Sequence, residues 1–277
     1  MGAPDANLLR DMEASIGGAR LRFQLEGNEA GPVVVLSHSL GSHRGIWDPQ
    51  VPVFGRHLRV LRYDTRGHGG SAVPLGPYRL DEMAEDVRGL LDALRIERAA
   101  FVGISMGGMI GQALALQHPD RLHALVLCDT TSEIPEAARP MWEERIRVTR
   151  EQGMEPHVEP TVQRWFTEPF RRAHPEVVDR VRGMIRDTDP EGYVACCHAI
   201  EELQLTERLA EIRVPTLVVA GAEDPATTPG VARGLHDRIE GSELSVLESA
   251  SHLCNMEQPE AFNRAVGDFL ERHLPVS

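Results

Sequence analysis

Phe101-Val102-Gly103-Ile104-Ser105-Met106-Gly107-Gly108 reads as a buried strand that ends in Gly-x-Ser-x-Gly and passes straight into a helix, Met109-Ile110-Gly111-Gln112-Ala113-Leu114-Ala115-Leu116. That setting turns a common five-residue pattern into a nucleophile elbow. Gly103 and Gly107 remove side chains that would collide in so tight a turn, leaving Ser105 at its apex. Its hydroxyl then stands at the sheet edge beside the positive end of the following helix. An incidental serine in a glycine-rich turn is the competing reading, and the rest of the chain weakens it.

Outward from the elbow, strand and helix alternate. Arg20–Glu26, Val33–Ser37, Arg59–Tyr63, Ala99–Ile104 and Leu122–Cys128 read as strands, and Leu80–Leu94 as an amphipathic helix. Continuous apolar strands separated by helices imply an α/β fold with a mostly parallel sheet covered on both faces. The alternation stops at about Thr131, and no strand-like run appears before Leu209. Helical spacing recurs there in Met141–Arg150, Val162–Phe166, Val177–Ile185 and Tyr193–Leu203. Strands resume at Thr216–Ala220 and Leu244–Leu247, and a closing helix spans Pro259–His273. The expected organisation is a core of residues 1–130 and 210–277 with a helical cap, 131–209, inserted before the last strands.

Composition narrows the chemistry. The chain has 277 residues and a formal net charge of −13, which argues against nucleic acid as a partner. No lysine occurs, so all 29 basic residues are arginine. That removes Schiff-base catalysis and any Walker A phosphate loop. Cys128, Cys196, Cys197 and Cys254 form no C-x-x-C pair and read as buried thiols rather than a disulfide or zinc framework. Nothing from Met1 to Ala14 resembles a secretory signal, and no window approaches the ~20 apolar residues of a membrane span. The expectation is a soluble cytoplasmic protein with no membrane partner and no cofactor. Homo-oligomer formation is left open.

A serine hydroxyl needs a base, and the base needs an orienting acid. The strand Thr216–Ala220 runs into Gly221-Ala222-Glu223-Asp224-Pro225, and the strand ending at Leu247 runs into Glu248-Ser249-Ala250-Ser251-His252. The order Ser105, Asp224, His252 is that of a hydrolase elbow and its partners. Asp129 is the reserve acid. The oxyanion hole needs two backbone N–H donors, assigned to Met106 and Leu40, with Ser39 as the alternative to Leu40. His38 and the loop Asp64–Ser71 read as structural. A metal site built from His38, His43 and His68 lacks any recognised ligand spacing, so no metal is expected.

Together these residues make the chain a member of the α/β-hydrolase superfamily, and within it the chain closely resembles the 3-oxoadipate enol-lactonases of bacterial aromatic degradation. The resemblance is carried by Ser37–Gly41, Trp47-Asp48-Pro49-Gln50, Leu61–Gly69, Ser105–Gly111, Arg164-Trp165-Phe166-Thr167, Asp189–Tyr193, Ala222–Thr227, Ser251-His252 and Glu257–Asn263. The run Met154-Glu155-Pro156-His157-Val158-Glu159-Pro160 departs from it, since a smoother helix is expected there. The resemblance implies hydrolysis of an enol-lactone bearing a carboxylate arm to 3-oxoadipate, through an acyl-enzyme on Ser105, in the β-ketoadipate pathway. The small anionic lactone would need a cation, and without lysine that is arginine or histidine. Trp142 and Arg145, three apart on one helix face, are the candidates for the ring and the carboxylate; Arg44 and Arg164 are rivals. A general carboxylesterase or cofactor-free perhydrolase would share the same catalytic residues. A non-catalytic ligand receptor on this scaffold is the alternative of another class.

Overall fold

A computed structural model describes residues 11–275; most of the stretch read for a secretory signal therefore lies outside the described residues. Eight strands form one sheet in the order β1-β2-β4-β3-β5-β6-β7-β8. They are β1 (Met12–Ile16), β2 (Ala19–Gly27), β3 (Val33–Ser37), β4 (Arg59–Tyr63), β5 (Ala99–Ile104), β6 (Leu122–Cys128), β7 (Thr216–Gly221) and β8 (Glu243–Leu247). β1–β2 and β2–β4 pair antiparallel, and every later pair is parallel. The central strands are mostly apolar because both of their faces are covered: β3 and β5 have no exposed position.

The helices are α1 (Val51–Phe54), α2 (Leu80–Ala93), α3 (Met106–Gln117), α4 (Arg139–Gln152), α5 (Glu155–Trp165), α6 (Glu168–Ala173), α7 (Pro175–Arg186), α8 (Pro190–Glu201), α9 (Pro229–His236), α10 (Cys254–Glu257) and α11 (Pro259–His273). α3 is buried on nearly every side, which suits a helix of Gly, Ala, Leu and Ile lying directly on the sheet. Helices α4–α8 all fall between β6 and β7. The two ends of this helical insert pair with each other. Glu133 and Gln204 form an antiparallel bridge, Leu205 N–H donates to the Ser132 carbonyl at 2.7 Å, and Ile134 N–H donates to the Leu203 carbonyl at 3.2 Å.

The proline-bearing run does not interrupt its helix as expected: α5 begins at Glu155 and passes through Pro160. Pro156 sits in the first turn, where a missing N–H costs nothing, so only Pro160 removes a hydrogen bond. Five elements escaped the sequence reading, among them the four-residue helices α1 and α10. β1 has a weak alternating pattern suited to an edge strand. α6 is only six residues long. α9 contains Gly230 and Gly234, which dilute its helical signal, and its start is fixed by the Thr228 hydroxyl accepting the Val231 N–H.

Candidate active site

The loops that follow β3, β5, β7 and β8 converge at the carboxyl edge of the sheet, where open α/β sheets place their ligands. Ser105 sits between β5 and α3 with φ 56° and ψ −117°, a conformation disfavoured for any residue with a side chain. Its own N–H donates to the Cys128 carbonyl at 2.9 Å, and the Thr130 hydroxyl donates to its carbonyl at 2.8 Å. The glycines around it are obligatory by contact. A Cβ on Gly103 would lie 2.2 Å from the Gly107 carbonyl oxygen, and one on Gly107 would lie 2.3 Å from that of Ser37.

His252 and Asp224 are joined directly. His252 Nδ1 lies 2.7 Å from Asp224 Oδ2, with both side chains almost wholly buried. Asp224 also accepts hydrogen bonds from the N–H groups of Ala226 and Thr227 at 2.8 and 3.1 Å, and from the Thr227 hydroxyl at 2.5 Å. Burial alone would raise its pKa; the His252 ring and these hydrogen bonds outweigh it and hold the carboxyl well below the usual range. Asp129 is close by but differently employed. It accepts the Gly221 N–H at 2.7 Å, and burial together with the charge of Asp224 pushes its pKa far up. Glu223, next to Asp224 in sequence, is exposed.

The histidine loop is clamped to the end of α5. Leu253 N–H donates to the Trp165 carbonyl at 3.1 Å, and the Ser251 hydroxyl donates to the Arg164 carbonyl at 2.8 Å. The buried Glu257 carboxylate bridges the two segments, accepting Ser251 N–H at 2.9 Å and Thr167 N–H at 3.0 Å as well as the Thr167 hydroxyl. The Trp165 ring lies nearly parallel to that of His252, centroids 6.2 Å apart. Thr227, Trp165 and Glu257 were not singled out from sequence. All three fall within the stretches that carry the family resemblance, which was the available signal.

Ser105 and His252 face one cavity of about 500 Å³. Leu40 and Ser39 are on its wall. Met106 is the first residue of α3, whose N–H has no partner within the helix. Trp142, Arg145, Thr161, Arg164, Trp165 and Tyr193 line it from the helical insert. The Arg145 guanidinium lies over the Trp142 ring, 4.8 Å from its centroid, and donates to the Tyr193 hydroxyl at 3.3 Å. The neighbouring acids do not neutralise it, since Glu144 pairs with Arg147 instead. Arg164 donates to the Thr161 hydroxyl at 3.4 Å. Burial, then the like charge of Arg145, lowers its pKa from the usual guanidinium range. Neither arginine forms an ion pair among the described residues. Arg44 is excluded from this role, because it pairs with Asp64 and Asp11 and does not line the cavity.

His38 and His68 are loop architecture. His38 Nε2 accepts the Thr65 N–H at 3.0 Å, and His68 Nε2 accepts the Gly41 N–H at 2.9 Å. Burial draws both imidazoles down to about 3, so both stay neutral acceptors that shape the loop carrying Ser39 and Leu40. Among the described residues no cluster of His, Cys, Asp or Glu is arranged to hold a metal ion. No helix there is long and apolar enough to cross a membrane.

A serine hydroxyl at a strand–helix elbow and a histidine paired to a buried acid, facing one cavity, are the parts that acyl transfer requires. Residues 32–259 match the family model described as the α/β hydrolase fold, and the chain belongs to that family. It is 41% identical over 252 residues to 3-oxoadipate enol-lactonase 2 of Acinetobacter baylyi, covering 91% of this chain and 93% of that protein. The crystal structure of the enol-lactonase from Burkholderia xenovorans superposes with a TM-score of 0.91 at 40% identity, covering 94% of this chain and all of the other. A putative carbamate hydrolase of a Caulobacter species is 33% identical, with 86% of this chain and 90% of that protein aligned. Within the α/β hydrolases the chain is a member of the 3-oxoadipate enol-lactonase family, and it is a carboxylic ester hydrolase.

Proposed function

We propose that this protein opens 3-oxoadipate enol-lactone, or a lactone of the same anionic kind, by a serine mechanism. The observation that carries the reading is the Arg145–Arg164 pair: two guanidinium groups without carboxylate partners, set into the same cavity as Ser105 and His252. Two like charges held together in a largely apolar pocket are costly until an anion lies between them, and a carboxylate suits the planar donor fork of arginine. Trp142, beneath Arg145, supplies a flat apolar wall for the lactone ring.

In this mechanism His252 Nε2 takes the Ser105 proton as Oγ attacks the lactone carbonyl, and Asp224 holds the ring in the tautomer that leaves Nε2 free. The Leu40 and Met106 N–H groups stabilise the tetrahedral oxyanion. The ring C–O bond breaks to release an enol that becomes a ketone, leaving the opened chain on Ser105. Water, deprotonated by His252, then frees the dicarboxylate. Helices α4–α8 act as the cap that selects the substrate, and the place of the reaction is the β-ketoadipate pathway. An uncharged ester gives the paired arginines nothing to bind. The test is ultraviolet-monitored hydrolysis of freshly generated enol-lactone. Turnover well above the spontaneous rate is expected; a spontaneous rate alongside efficient cleavage of neutral esters or carbamates overturns the reading.

A further inference from the structure

The cavity is larger than a small carboxylate-bearing lactone requires, and its wall changes character with exposure. The residues around the arginines, Trp142, Thr161, Trp165, Ile185 and Tyr193, are buried. Those contributed by residues 133–141 and by α9 reach the surface: Pro135, Ala138, Met141 and Val231 are apolar, with Ile134 and Leu235 behind them, and the exposed Glu133 and Arg238 add one charge of each sign at the rim. Met141 is 51% exposed although it is a large apolar residue with one face on the cavity. The end holding Arg145 and Arg164 is therefore the more closed end, and the mouth is a largely apolar passage, flanked by Glu133 and Arg238, between the start of the helical insert and α9. A flexible methionine at its rim suits a lining that adapts to its contents.

Lactone chemistry needs this passage only for entry and exit. When the ring opens, the leaving oxygen and the carboxylate both stay on the chain attached to Ser105, so nothing departs toward the mouth. A linear ester of a dicarboxylic acid differs in one respect. Its acyl chain would occupy the same path from Ser105 to the arginines, while its alkoxy group would need separate room on the opposite side of the carbonyl.

We propose that this protein is also a hydrolase of monoalkyl esters of short dicarboxylic acids, with the free carboxylate on Arg145 and Arg164 and the alkyl chain in the apolar mouth lined by Ala138, Met141, Val231 and Leu235. The inference rests on the anion site proposed above and adds a second subsite to it. Ser105 Oγ bonds to the ester carbonyl carbon and the C–O bond to the alkoxy group breaks. His252 returns the Ser105 proton to the departing oxygen, releasing an alcohol. Water then cleaves the acyl-enzyme, with His252 taking its proton, to give the dicarboxylate. Turnover is slower than for the lactone, because an alkoxide is a poorer leaving group than an enolate.

The experiment measures kcat/KM for the methyl, butyl and hexyl monoesters of adipic acid, whose acyl chain has the carbon count of 3-oxoadipate. The uncharged methyl and butyl pentanoates and the enol-lactone are run beside them. Each methylene that leaves water should raise kcat/KM by about threefold up to butyl, provided most of its surface is covered. Val231→Asp should flatten the series, read as the butyl-to-methyl ratio within each protein, so loss of folded enzyme cancels. A flat or falling series in the parent protein, or an unchanged ratio in both Val231→Asp and Ala138→Glu, overturns the subsite. Lactone turnover with a flat ester series refutes this inference alone. Equal rates for adipate monoesters and pentanoates refute the anion site beneath it.

Discussion

Asp224 and the loop that carries His252 are held by many partners, whereas Arg145 and Arg164, facing the same cavity, are nearly bare. The carboxylate of Asp224 accepts four hydrogen bonds, and the loop bearing His252 is fastened on both sides, at Ser251 and at Leu253. Arg164 has one long contact to a hydroxyl, and Arg145 has one hydroxyl and an aromatic face. The difference fits the two tasks proposed for them. Groups that move a proton must be held in one geometry before the substrate arrives. Groups that bind an anion must keep their hydrogen-bonding capacity unspent until then.

The sharpest way to break this division is Ser105→Ala. The proposed roles predict a fall of about 10⁴-fold or more in kcat/KM for every ester and lactone tested; a variant that keeps substantial turnover removes Ser105 as nucleophile. Next in size is the arginine pair. Arg164→Ala and Arg145→Ala should each lower the selectivity for an anionic over a neutral substrate by about 10- to 100-fold, the range for a lost hydrogen bond to a charged group. Parallel losses on both substrates would instead make the arginines scaffolding. Glu257→Gln weakens the clamp on the histidine loop without touching the cavity. We expect a drop of about fivefold in kcat with KM little changed, equal to roughly one kcal/mol of lost bonding. A KM effect alone would show that the clamp serves binding only.

The smallest effect concerns pH. Asp129 has a raised pKa from burial and the neighbouring Asp224 charge, so it keeps a proton that the unfolded chain releases above about pH 4. Its contribution to stability is fully present below that pH and is lost as pH rises toward its elevated folded value. Asp129→Asn, which cannot ionise, should therefore gain a few degrees of melting temperature relative to the parent at pH 8 compared with pH 5. A melting difference independent of pH would mean that Asp129 is already ionised in the folded protein.

The α/β architecture was legible because continuous apolar strands and the glycine elbow are local signals. β3, β4, β5 and β6 begin and end where their residues predict. The proximity of Asp224 to His252 could be anticipated from chain order, since each follows a strand that ends at the same sheet edge. The surroundings of the arginines could not. Which of Arg44, Arg145 and Arg164 faces the cavity depends on how the helices of the insert pack, and helical periodicity gives a face but no partner. Arg44 is spent on Asp64, a residue twenty positions away. Trp165 meets the His252 loop, and Glu257 meets Thr167, only through long-range folding, beyond the reach of any spacing rule.

The antiparallel contact between residues 132–134 and 203–205 has a consequence for how such proteins diversify. It makes the point where the chain leaves the sheet and the point where it returns immediate neighbours, closed by their own hydrogen bonds. A segment grafted at this neck imposes no span on the strands beneath it, and loop-closure cost grows only slowly with the length inserted. Exchange of the whole helical segment for another of different length, with the neck kept, is thus a route by which one sheet and one elbow could be handed from substrate to substrate. The neck, rather than the cavity wall, is the place to cut when recombining relatives.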